Sequence, residues 1–389
     1  MNLEFYNCPK PEKFDPKILP KEKPEFLTYR PDFELLKKLA SQYEQYKNIL
    51  IIAHGGSINP FYGFYYALKY QAKKKVYFLN TVDPDYIYEL KKQLSPENTL
   101  VLSISKSGEN TTQLEETMPF SEYTVVVVTG KSSPLRAVAE KMNWPIINHP
   151  SIGGRYTGLT EVNLIAGAIA GLDVESLFEG ARNLQYLYEK DNIAWRAAWV
   201  FYELEKKGFA DVLLLFYSHF LFPSSFGIVQ LCHESFGKDG KGQSYFAHEG
   251  PEVQHHTMQR YYGGQKNIAG LFITAKNFLH PTINTYPLQT HSVQIKGHHL
   301  QDINKVPLEK ALLSEAEANL EDSRIRGIPA VHLEVFDFSA KEVGEFTAFW
   351  QLFAVYSSLL RKVDPFDQPE VENSKKISFT KRLQYKGLL

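Results

Sequence analysis

Ile49-Leu50-Ile51-Ile52-Ala53-His54-Gly55-Gly56-Ser57 is an unbroken apolar run that stops at two glycines and a serine. Leu100-Val101-Leu102-Ser103-Ile104-Ser105-Lys106-Ser107-Gly108 repeats the pattern further along the chain. A run without polar alternation reads as a strand buried on both faces, the condition of parallel strands covered by helices. Two more runs, 76–79 and 124–128, have the same character. Between and after them, the stretches 58–73, 85–93, 111–118 and 134–142 predict helices. The last opens on Ser133 as a cap, with Pro134 at the first helical position. Together these elements predict a doubly wound α/β domain.

Outward from that unit, helices are expected over 163–170, 174–190 and 191–207. A second α/β pattern follows, with strands at 212–217, 268–274 and 330–335, a weaker strand at 292–295, and helices at 310–319 and 342–361. The opening residues, 1–24, mix lysine, proline and acidic groups without the apolar core of a signal peptide, and read as an extended arm. The apolar stretch 209–229 is broken by Asp211, His219 and Pro223, which argues against a membrane span. Residues 364–389 carry Pro365 and Pro369 and then a basic helix. The expected division is an arm (1–30), a first α/β domain (31–180), a second (181–363) and a C-terminal segment (364–389). A chain of 389 residues accommodates two such domains.

Charge narrows the class of ligand. Lys plus Arg number 43 against 44 Asp plus Glu, so no net field draws the chain to nucleic acid or anionic lipid, and any anion site must be local. With only Cys8 and Cys232, a reduced, cytoplasmic protein is expected.

The two glycine- and serine-bearing turns supply such a local site. In an open parallel sheet, loops at the carboxyl ends of strands converge on one crevice. Helix N-termini there offer free N–H groups, and Ser57, Ser105, Ser107 and Lys106 add donors. Neither G-x-x-x-x-G-K-[ST] nor G-x-G-x-x-G occurs, so a small phosphate monoester is expected rather than a nucleotide. The chain also has no H-E-x-x-H and no C-x-x-C, and gives no cofactor and no metal site.

Ser105-Lys106-Ser107-Gly108-Glu109 resembles the phosphosugar loop of sugar isomerase (SIS) domains. Gly153-Gly154-Arg155-Tyr156-Thr157 resembles the Gly-Gly-Arg signature of the glucose-6-phosphate isomerase family. The stretch from Gln230 through His233-Glu234-Ser235-Phe236-Gly237-Lys238 to Gly242 resembles that family's glutamate signature. Val253-Gln254-His255 with Gln259 is similar to its histidine segment, and Asp364-Pro365-Phe366-Asp367-Gln368-Pro369 with Val371-Glu372 to its C-terminal motif. The segments stand in family order. The resemblance implies two SIS-type doubly wound domains with mainly parallel sheets flanked by helices, plus a C-terminal helical tail. It also implies a cytoplasmic homodimer with shared active sites, acting on a phosphorylated hexose in glycolysis and gluconeogenesis.

The implied reaction interconverts glucose 6-phosphate and fructose 6-phosphate through an enediol. A carboxylate must move a proton between C2 and C1, and the resemblance assigns this to Glu234. Read without the motif, Glu234 could instead pair with Lys238 or Lys241. Arg155 is the implied cation for the enediol oxygens, His255 the implied ring-opening group and Lys375 the lysine near the ring oxygen. His256 beside the one, and Lys376 beside the other, are alternatives. Implied substrate contacts are Gly56, Ser57, Ser105, Lys106, Ser107, Asn110, Gly154 and Gln230, the last one helical turn before Glu234. Departures from the family pattern are Glu109 and Asn110, which begin a stretch usually richer in threonine, and His54 before the glycine pair, whose bulk narrows the crevice or adds a hydrogen bond. A bifunctional phosphoglucose/phosphomannose isomerase and a non-catalytic phosphosugar sensor are the competing functions.

Overall fold

The computed structural model describes residues 1–388. Its first sheet is wholly parallel, in the order Lys75–Leu79, Asn48–Ala53, Thr99–Ser105, Thr124–Thr129, Ile146–Asn148. The apolar runs alternate between two cores. Ile49 and Ile51 face a large core shared with the rest of the molecule, while Leu50 and Ile52 face a smaller one with Val101, Val125 and Leu90. Burial on both sides is why these strands lack polar alternation. Ser133 caps the helix Pro134–Lys141 by accepting from Arg136 N at 3.1 Å, as its sequence implies.

The second sheet runs Asn2–Tyr6, Ala330–Val335, Ile268–Ala275, Asp211–Tyr217, Ser244–Glu249. All of its pairs are parallel except the first. Three corrections to the sequence reading follow. The arm begins with a strand: Asn2–Tyr6 pairs antiparallel with Ala330–Val335, setting Leu3 and Phe5 against the shared core. The weak strand at 292–295 is absent from this sheet, because Gln294–Ile295 pairs only with His298–His299 in a separate surface hairpin. The helices expected over 58–73 and 174–190 end earlier, at Ala67 and Gln185. The architecture is nonetheless the one expected: α/β, mainly parallel sheets flanked by helices, with a C-terminal helix Glu372–Tyr385.

Between the sheets lie Glu161–Ala170, Val174–Gln185, Ile193–Lys206 and the long helix Ala340–Arg361. The last is apolar nearly all round, burying Phe346, Phe349, Trp350, Phe353 and Tyr356, as an enclosed helix must be. It meets Val174–Gln185 backbone to backbone. A Cβ on Gly344 would lie 1.8 Å from the Leu177 carbonyl oxygen, and one on Gly180 would lie 1.8 Å from that of Lys341. Two glycines facing opposite ways thus set the separation of the helices that join the halves. Among the described residues no helix is long and apolar enough to cross a membrane.

Candidate active site

The order of the first sheet reverses at Asn48–Ala53, which lies between the strand that follows it and the strand after that. Loops leaving such a switch point diverge and open a crevice. Here they are the Gly55–Ser57 turn and the Ser105–Gly108 turn, side by side because Ala53 is in register with Ile104. In the second turn the Ser105 hydroxyl accepts from Gly108 N at 3.1 Å and the Ser107 hydroxyl from Glu109 N at 3.3 Å. Both O–H groups remain available to donate. Lys106 is exposed and its ammonium donates to the Ser151 carbonyl, across the mouth of the crevice toward the Gly153–Gly154 turn. Asn110 caps the next helix without a side-chain bond to it.

Gly56 and Gly154 meet where the two glycine turns cross. A Cβ on Gly56 would lie 2.0 Å from the Gly154 carbonyl carbon and 2.4 Å from Arg155 N, so no larger residue fits. Thr157 and Asn163 both donate to the Gly56 carbonyl at 3.1 Å. This contact seats Arg155 at a fixed distance from the first sheet. Gly56→Ala is accordingly expected to lower stability by roughly 1–3 kcal/mol through overpacking, measured as a fall in the denaturation midpoint.

All five guanidinium donors of Arg155 are used, with the side chain 3% exposed. Nε donates to Ser235 Oγ at 3.1 Å, and Nη2 to the carbonyls of Pro365 (2.7 Å) and Asp367 (2.8 Å). Nη1 donates to Gln368 Oε1 at 2.6 Å and to Glu234 Oε2 at 3.0 Å. The rigid fork of donors suits a site that ties one turn of the first half to the helix Ser225–Phe236 and to the C-terminal motif. Lys238, also buried, clamps the same motif at Asp367 Oδ1 (2.5 Å) and the Asp367 carbonyl (2.7 Å). The pairing of Glu234 with Lys238 or Lys241 does not occur. Lys238 lies beyond the helix end at Phe236, and Lys241 donates to the Arg361 carbonyl at 3.0 Å.

Glu234 has two fixed partners and is 30% exposed, so its carboxylate is oriented but reachable. Oε1 accepts from Gln230 Nε2 at 3.0 Å, and Gln230 Oε1 accepts from Asn59 Nδ2 at 3.0 Å. Asn59 begins the helix after the Gly55–Ser57 turn, and a Cβ on Gly55 would lie 2.8 Å from Gln230 Nε2. The carboxylate therefore stands over the glycine turn, one side chain removed. Gln230 is legible through its i, i+4 spacing, Asn59 is not, and Ser235, Lys238 and Gln368 stand in the quoted motifs without the roles the structure gives them. Their contacts join residues far apart in the chain, which no local pattern reports.

Two of the expected residues are not drawn into this cluster. His255 is exposed at the end of a short turn, Glu252–His255, and its side chain has no hydrogen-bonding partner among the described residues. Lys375 is 65% exposed and pairs with Glu372 at 2.7 Å, one turn earlier on its helix. The same helix is anchored by Arg382, whose Nε and Nη2 each lie 2.7 Å from the Glu115 carboxylate on the helix after the Ser105–Gly108 turn. Lys375 is two turns from Arg382, so the two share a face directed at the first half.

No family model matches the chain. A curated protein named probable glucose-6-phosphate isomerase, from Haloarcula marismortui, is 28% identical over 315 residues, 76% of this chain and 69% of that protein. The glucose-6-phosphate isomerase of Methanocaldococcus jannaschii is 24% identical over 349 residues, 85% of this chain and 83% of its own length. The chain is a relative of the glucose-6-phosphate isomerases. A crystal structure of a glucose-6-phosphate isomerase from Chlamydia trachomatis shares the fold, with TM-score 0.77 at 16% identity over 99% of this chain and 82% of that one. For a relative of glucose-6-phosphate isomerases, the cluster has a chemical sense. It holds one oriented, partly exposed carboxylate against a buried cation, with donor-rich turns opposite.

Proposed function

We propose that the protein interconverts glucose 6-phosphate and fructose 6-phosphate as an intramolecular aldose–ketose isomerase. The observation that carries this reading is the placement of Glu234, held by Arg155 on one oxygen and by the Gln230–Asn59 relay on the other, above the glycine turn. The phosphate ester is bound at Ser57, Ser105, Lys106, Ser107 and the helix start near Asn110. The two halves, 31–180 and 181–363, contribute the ester turns and the carboxylate respectively. Gly56 and Gly154 let the turns close, and Gln230 meets substrate hydroxyls as well as Glu234.

Glu234 takes the proton from C2 of the open-chain aldose and returns it at C1, while the hydroxyl proton on O2 passes to O1, leaving the ketose. The negative charge that forms on the enediol oxygens is stabilised by the fixed charge of Arg155, which needs no reorganisation during the reaction. The ring is opened first, with His255 moving the proton and Lys375 near the ring oxygen. The exposed, unpartnered His255 is consistent with donation of this group to a neighbouring copy, in a cytoplasmic homodimer that serves glycolysis and gluconeogenesis. Ser105→Ala and Lys106→Ala are expected chiefly to raise KM, because an ester contact made equally in ground and transition states does not change kcat. Initial-rate kinetics separate the two constants.

The reading is tested by incubating the purified protein with fructose 6-phosphate and EDTA and following products by NMR. Glucose 6-phosphate as the aldose product supports it. Equal formation of mannose 6-phosphate would instead indicate the bifunctional enzyme, and phosphosugar binding without turnover a sensor; either outcome contradicts the assignment.

A further inference from the structure

His54 follows the switch-point strand directly, where Ser105 ends the neighbouring strand, and so stands between the two turns of the crevice. Its Nε2 lies 2.9 and 3.1 Å from the two oxygens of Glu116. Glu116 is 0% exposed. Burial pushes its carboxyl upward, opposed by the imidazole. A carboxylate enclosed in this way needs a donor, and Nε2–H is the one it has. The imidazole is itself 30% exposed, and its second nitrogen, Nδ1, has no hydrogen-bonding partner among the described residues. A buried acid thus fixes the ring through Nε2 and leaves its second nitrogen unpaired, at the strand end between the two turns.

Around this pair the other ionic groups are already engaged. Glu115 is bound by Arg382, and the Lys106 ammonium by the Ser151 carbonyl. His149, beyond the next strand, is held neutral by burial, its pKa pushed down to about 4. Glu109, in the turn itself, is exposed and opposes an anion. Besides Lys106 and the serine hydroxyls, an ester placed here meets the unpaired Nδ1 of His54.

We propose that the His54–Glu116 pair is a ligand for the phosphate ester: Glu116 holds the ring through Nε2, and Nδ1–H donates to the ester oxygens beside the Ser105–Gly108 turn. The inference rests on the isomerase reading for the identity of the ester, and adds a binding residue that the serine and glycine turns do not supply. Both ring nitrogens donate in the imidazolium, so one proton serves the buried acid and the other the substrate.

His54→Gln tests it, because the amide of Gln can still donate toward Glu116 while the Nδ1 position is lost. The dissociation constant for inorganic phosphate, from calorimetry, and KM for fructose 6-phosphate should both rise roughly tenfold, the scale of one charge-assisted hydrogen bond. The rate at saturation should fall far less than KM rises. Glu116→Gln removes the carboxylate that pairs with Nε2 and fixes the ring, and should weaken phosphate in the same direction. Phosphate affinity within twofold of wild type in either folded variant overturns the proposal. The phosphate titration does not depend on turnover. A wild-type protein that fails to isomerise would therefore refute the function while leaving this pair to be decided separately.

Discussion

Glu234→Gln lowers kcat by roughly 10²- to 10⁴-fold while changing KM far less, the loss expected when a general base is removed and its shape kept. The amide can accept from Arg155 Nη1 through its oxygen, so the guanidinium keeps its geometry. Its NH₂ then faces Gln230 Nε2, a donor against a donor, which a flip of the Gln230 amide resolves by giving up the bond from Asn59. The structural cost is therefore small and the chemical cost large. Steady-state kinetics with a thermal melt separate them: near-normal kcat in a folded variant would remove Glu234 from the reaction.

Arg155→Ala acts through both stability and rate. It strips donors from Ser235, Gln368, Glu234 and the carbonyls of Pro365 and Asp367 at once. Removing one partner of a buried pair costs about 3–5 kcal/mol. Of the buried cations on the C-terminal motif only Lys238 then remains, so proteolysis after residue 363 should accelerate together with the loss of thermal stability. The rate falls as well, by at least about 10²-fold, because Glu234 loses its orientation and the developing charge its counter-charge. Arg155→Lys restores a charge but not five directed donors, and should recover stability only in part. A Lys variant with wild-type melting and proteolysis would show that the donor array is not what holds the motif.

What the sequence disclosed follows from which interactions are local. The runs at 49–53 and 100–104 are legible because burial on both faces removes polar residues from consecutive positions. Strand Ser244–Glu249 was missed because it lies at a sheet edge, where only Tyr245 is fully enclosed and His248 and Glu249 interrupt the apolar pattern. Asn2–Tyr6 was hidden similarly: an edge strand with one half-buried face, set in a lysine- and proline-rich arm. The hairpin at Gln294–Ile295 has strand-like residues but no buried face to recruit them into a sheet.

Within the candidate site, Glu234 and Arg155 were legible through their motifs, yet their contact was not. They are joined by packing of Gly56 against Gly154, a tertiary event. Arg155 illustrates the difference most clearly. Its residue type indicated a cation near the reaction, whereas its five acceptors make it also the bolt between the first half, the glutamate helix and the C-terminal motif. Of the His54–Glu116 pair only the histidine is marked in the sequence, as a bulky residue or added hydrogen-bonding group before the two glycines; its contact with Glu116, 62 residues away, is tertiary and leaves no local signal.

In the proposed reaction the Glu234 carboxylate carries the proton between the two sugar carbons. The most direct measurement of that transfer is deuterium incorporation at C2 of the aldose when fructose 6-phosphate is incubated in heavy water with the wild-type protein and with Glu234→Gln, followed by NMR. Deuterium is expected at C2 of glucose 6-phosphate with the wild type, and neither product nor exchange with the variant on the same timescale. Exchange and product formation at undiminished rate in Glu234→Gln would contradict it.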